Sequence, residues 1–148
     1  MLAITFFTAC KNDSKDAKVS DGAGEVASKE GITYTVDPSV SKVMWTGSKP
    51  TGEHMGTVDV TNGTLSAENG MVTAGEFNID MTSITVTDLD GDDKAYLEGH
   101  LKGSDDKNKD DFFNVATYPN AKFAITKVTK REGDPSGNAL VYGNLTMK

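Results

Sequence analysis

One cysteine, two histidines and no basic cluster are what this chain has least of, and each shortage removes a class of protein. Cys10 alone cannot close an internal disulfide, so a disulfide-stapled scaffold is excluded. It also stands far ahead of the patterned part of the chain, which leaves no Cys/His nucleophile pair. His54 and His100 are too few for a zinc site without carboxylates, and no ligand spacing points to one. A formal net charge of −7 argues against nucleic-acid binding, which requires a basic patch. No apolar run approaches the roughly 20 residues of a membrane-spanning helix. Neither a glycine-rich phosphate loop before a helix nor a nucleophile elbow is present, so the sequence offers almost no catalytic equipment. The 148 residues suffice for one modest domain.

What the chain has in quantity is period-two alternation. Ile32, Tyr34 and Val36 alternate with threonines before Asp37-Pro38. Val43 and Trp45 share a face, residues 47–52 read as a loop, and Val58 and Val60 share a face of the next strand. Asn62-Gly63 is the strongest short hairpin signal, with Glu68-Asn69-Gly70 as a second turn. Residues 71–81 form the clearest strand: Met71, Thr73, Gly75, Phe77, Ile79 and Met81 lie on one side, with mixed residues on the other. Asp88, Asp90, Asp92 and Asp93 suggest calcium, but Gly91 falls at the fourth position of the run instead of the sixth, so an acidic turn is the reading. Leu97 and Leu101, four apart in residues 94–102, predict a short helix with a narrow apolar stripe. Residues 122–129 and 140–147 are further strands, separated by a polar turn containing Asp134-Pro135-Ser136-Gly137.

Between helix and strand lies Asp110-Asp111-Phe112-Phe113-Asn114-Val115-Ala116-Thr117-Tyr118-Pro119, which fits neither period. Adjacent phenylalanines cannot both point inward on a strand, and the residue before Pro119 is pushed towards extended geometry. An irregular crossing that feeds a strand is the expectation. Asp111-Phe112-Phe113-Asn114-Val115, followed by Tyr118-Pro119 and Phe123, resembles the D-F-F-[DN]-V-x-x-Y-P-x-x-x-F segment of the YceI-like family. Gly99-His100-Leu101-Lys102 is similar to its D-x-H-L-[RK], and Gly143-Asn144-Leu145-Thr146-Met147-Lys148 to its G-[DN]-L-T-[IM]-[KR]. Gly99 replaces a frequent acid, and the polar run at 103–110 is longer than usual.

The resemblance implies an all-β, lipocalin-like extended antiparallel barrel of about eight strands with one short helix, occupying residues 32–148 and lacking its final strands. An eight-stranded barrel is just wide enough to be filled by side chains or to hold one ligand. Alternation nominates Val43, Trp45, Val58, Val60, Phe77, Ile79, Met81, Phe123 and Ile125 as interior residues, with Leu97, Leu101, Phe112 and Phe113 near the mouth. The family's members hold a long polyisoprenoid chain, so the expected function is non-enzymatic binding of an isoprenoid-like lipid, with no cofactor and no metal. The alternatives are a solidly packed structural or interaction module, or an envelope enzyme acting on lipid.

Residues 1–10 resemble the end of a bacterial lipoprotein signal, Phe7-Thr8-Ala9 leading to a lipidation cysteine at Cys10, although a basic n-region is missing. Residues 11–31 carry no aromatic side chain and too little apolar surface to fold, and read as a tether with a reach of about 25 Å. The expected setting is therefore the bacterial cell envelope, with the domain held to a membrane through lipid and facing the periplasm or the cell surface. Pairing of two copies stays open.

Overall fold

A computed structural model describes residues 22–104, 109–133 and 138–148. Cys10, most of the expected tether and the Asp134 to Gly137 turn lie outside the described residues. Six strands and one helix follow in the order β1 (Ile32–Thr35), β2 (Lys42–Lys49), β3 (Gly52–Glu68), β4 (Met71–Val86), α1 (Gly91–Lys102), β5 (Asn120–Lys130) and β6 (Ala139–Thr146). All pairings are antiparallel. The sheet runs β1-β3-β4-β5-β6, with β2 also on β3. The all-β architecture with one short helix matches expectation; the sheet itself is open, without a pairing that joins β6 back to β1 or β2 among the described residues.

Two turns differ from the sequence reading. Asn62-Gly63 makes no hairpin: β3 continues through it for 17 residues, paired with β4 from Gly56 to Glu68. The register shifts between Val60 and Asn62, and Asn78 Nδ2 donates to Asn62 Oδ1 at 2.6 Å, so this dipeptide serves a bulge instead of a reversal. The second expected turn is the reversal between β3 and β4, made by Asn69 and Gly70, both at positive φ (50° and 77°). The loop expected at 47–52 is shorter as well, because β2 stays on the ladder to Lys49 opposite Gly52.

β1 and β2 share one edge of β3. β1 pairs with residues 64–67 and β2 with residues 52–59. Val36 donates to the Gly63 carbonyl and Val60 to the Ser41 carbonyl, so only residues 37–40 leave the edge. Asp37 closes this excursion by accepting from the Ser39 backbone and hydroxyl at 2.9 and 2.7 Å.

Helix α1 starts at Asp90, whose backbone is extended, and ends at Gly103 in the left-handed conformation, donating to the His100 carbonyl. Asp92 and Asp93 in the first turn, and His100 and Lys102 in the last, suit the helix dipole. Glu98 accepts from the Val86 backbone at 2.8 Å and ties the helix to the end of β4. The crossing then caps the helix: Phe113 and Val115 donate to the Leu101 and Lys102 carbonyls, which would otherwise lack partners. Beneath it, Val58, Ile79, Met81, Ile84, Val115 and Ala121 form the core, with Trp45, Leu101, Phe113 and Met147 packed against them.

Residues 24–30 lie on the other face of the sheet. Gly24 and the Asn144 amide exchange two hydrogen bonds at 2.8 and 2.7 Å, Ala27 donates to the Ile125 carbonyl, and Thr73 donates to the Glu30 carbonyl. Lys122, first, and Lys29 of this strap hold the outward carboxylate of Glu76 below its ordinary range. The last third of the stretch read as tether is therefore laid across β4, β5 and β6.

Candidate functional site

Cross-strand pairing decides which side chains meet. Val43 stands opposite Val58, Val60 opposite Ile79, Ile79 opposite Ala121, and Phe77 opposite Phe123, which in turn stands opposite Leu145. Residues opposite one another in a ladder share a face. All of these therefore sit on the inner side, and there they line a groove of about 580 Å³ made by Val36, Val40, Ser41, Lys42, Val43, Val60, Phe77, Ile79, Phe123 and Leu145. Val43 belongs to one edge of the sheet and Leu145 to the other, so a flat sheet could not place them around one space. The sheet is curled, and the groove lies in the trough between its edges.

The lining is aliphatic and aromatic except for Ser41 and Lys42, and Lys42 is turned to an ion pair with Asp59. A site of this kind holds a ligand by contact area and contributes few directed hydrogen bonds. The volume falls within the range of about 300–1,000 Å³ of small-molecule sites.

The structure divides the nominated residues into groups. Val43, Val60, Phe77, Ile79 and Phe123 line the groove. Trp45, Val58, Met81, Leu101 and Phe113 are in the packed cluster under the helix, which Ile79 joins to the groove. Ile125 is buried at 3 % exposure beside Gly75, where its Cδ1 would lie 3.1 Å from an added Cβ. Leu97 is half-buried, and Phe112 faces outward at 55 % exposure. Sequence reasoning did not nominate Val36, Val40 or Leu145. Val36 and Leu145 carried a readable signal, each sitting in phase with a strand already recognised; Val40, in the excursion after Pro38, carried none.

Polar groups capable of chemistry are dispersed. His54 Nδ1 lies 2.9 Å from Asp88, which also accepts from the Met55 backbone; these two bonds, the Met55 one first, hold the Asp88 carboxyl below its ordinary value. His100 Nδ1 lies 3.5 Å from Asp111 and makes no hydrogen bond, and the buried indole N–H of Trp45 likewise has no partner among the described residues. Neither histidine lines the groove. Among the described residues no three His, Cys, Asp or Glu side chains come together to hold a metal ion, and no helix is long and apolar enough to cross a membrane.

A family model for the YceI-like domain matches residues 34–148, from the middle of β1 through the crossing and β6. The chain belongs to the YceI-like family. No curated protein matches the chain significantly. Within this YceI-like domain, the Asp111 to Val115 motif forms the crossing that caps α1, and the motif at 143–148 ends β6 and supplies Met147 to the core.

Proposed function

We propose that this YceI-like protein binds a long-chain, isoprenoid-like lipid in the groove between its sheet edges, without catalysing a reaction on it. The observation that carries this reading is the apolar trough itself, with Phe77, Ile79, Phe123 and Val60 as floor and Val36, Val40, Val43 and Leu145 as walls. Membership of a family of lipid-binding proteins supports it. Burial contributes about 25 cal/mol per Å² of apolar surface removed from water, so a long hydrocarbon gains affinity without a specific polar contact. On the same reading Cys10 carries the lipid anchor of an envelope protein, and residues after it link that anchor to the strap.

Extraction of lipid from the full chain purified out of a bacterial envelope, followed by mass spectrometry, tests the proposal. Wild type is expected to carry a polyisoprenoid-class lipid, and Leu145→Asp, at a position 56 % exposed on the groove wall, about tenfold less of it. Repeated recovery of wild type without lipid would favour a structural or interaction module.

A further inference from the structure

We propose that Gly63, Gly75 and Gly143 determine which lipid the trough selects: by giving the Phe77 and Phe123 rings a place to lie down, they make it deep enough for a methyl-branched chain and too deep for a straight one to fill. This deepens the groove reading above and rests on it. Phe77 and Phe123 are paired across β4 and β5 and lie side by side on the floor. Side chains on a strand ordinarily stand away from the sheet, and two upright rings here would occupy the space that a hydrocarbon needs.

The glycines remove that obstruction. Gly63 stands directly opposite Phe77, Gly75 precedes Phe77 on the same face of β4, and Gly143 precedes Leu145, the partner of Phe123, on the same face of β6. A Cβ on Gly63 would lie 3.0 Å from Phe77 Cδ1, and one on Gly75 would lie 3.1 Å from Cε2 of the same ring. Opposite corners of one ring thus rest on two glycines. A Cβ on Gly143 would collide with Cζ and Cε2 of Phe123, so the tip of that ring occupies the place of the missing side chain. Glycine inside a strand marks a close approach, and what approaches at each of these positions is an aromatic ring. Both rings are half-buried, and the side that does not meet glycine faces the trough.

Dispersion then decides between chains. A radial gap of about 0.5–1 Å forfeits a quarter to a half of a contact's attraction. A thin polymethylene chain lying in the deepened trough leaves such gaps, whereas methyl branches reach the rings below and the walls at Val36 and Leu145 together. The lining is apolar apart from Ser41 and the Asp59-paired Lys42, so chain shape carries the choice and the headgroup does not.

The test reloads the delipidated full chain from an equimolar mixture of dihydrophytol and hexadecanol, alcohols that share a backbone and differ in methyl branches, and measures the bound ratio by mass spectrometry. Wild type is expected to favour dihydrophytol about tenfold. A Cβ at Gly75 would meet Phe77, Ile125 and the Thr64 carbonyl, each at 3.1 Å, a crowding that the Phe77 ring relieves by rising. Gly75→Ala should therefore abolish the preference, and Phe77→Leu added to it, which removes the risen ring, should restore it. Met44→Ser, at an 82 % exposed site on β2, should leave the ratio as in wild type. In the NMR spectrum of the ligand-free wild type, the Hα protons of Gly63, Gly75 and Gly143 should be shifted upfield by the rings that lie on them. Equal binding of the two alcohols by wild type, unshifted glycine protons, an unchanged ratio in Gly75→Ala, or a preference that the double variant fails to restore would each overturn this proposal and leave the groove reading standing. A wild type that takes up neither alcohol would overturn both.

Discussion

Under the helix the inner face of the sheet is filled, whereas in the trough between the edges it is bare. Ile84 and Val86 are 1 % and 0 % exposed, while Val40 and Leu145 on the groove walls are 79 % and 56 % exposed. Both regions are built from the same alternating strands, and β4 contributes Phe77 and Ile79 to one and Met81 and Ile84 to the other. What separates them is whether chain crosses over. Leu101, Phe113 and Val115 descend onto one end, and no described element descends onto the other. Alternation therefore determines which side chains face inward, and the connections determine whether they meet protein.

Substitutions should separate the two regions, and the largest effect belongs under the helix. Ile84→Ala should cost about 2–5 kcal/mol in denaturant unfolding, since its cavity cannot refill from a packed cluster. Gly56→Ala comes next: a Cβ there would collide with the Thr85 carbonyl and the Trp45 ring, for a loss of about 1–3 kcal/mol. Val40→Asp should leave stability within about 0.5 kcal/mol and still reduce lipid content severalfold, which extraction would show. Equal destabilisation by Val40→Asp and Ile84→Ala would break the distinction.

The smallest effect concerns pH. The Asp88 carboxyl is held below its ordinary 3.8 by the Met55 N–H first and then by His54. A lowered folded value means that its contribution is present above 3.8 and disappears as pH falls through the folded value. Asp88→Asn should therefore slightly flatten the acid limb of a melting-temperature profile below pH 4 and leave lipid content unchanged.

Much of this was legible in the sequence because burial on one face leaves a period-two trace. Val43, Val60, Phe77 and Phe123 could be assigned to the inner face without knowing their neighbours. Depth along the trough left no such trace. Trp45 and Met81 alternate in phase with groove residues, yet they lie under the helix, and only the register of three strands and the path of the crossing decide that. Asn62-Gly63 failed as a turn signal for a related reason: its local preference for reversal yields to the continuous ladder with β4. Phe112 and Phe113 were both expected near the mouth; with Phe112 at positive φ, the crossing packs Phe113 against the core and leaves Phe112 outward.

Residues 37–40 have a consequence of their own. They stand off the ladder while Val36 and Ser41 on either side remain bonded to β3, and they carry Val40 on the rim of the trough. One bank of the channel is thus a short excursion bonded to β3 at both ends, with Asp37 accepting from Ser39 inside it. If the trough binds lipid as proposed, a ligand of greater girth would be admitted by displacing four residues, with every rung of the sheet left in place.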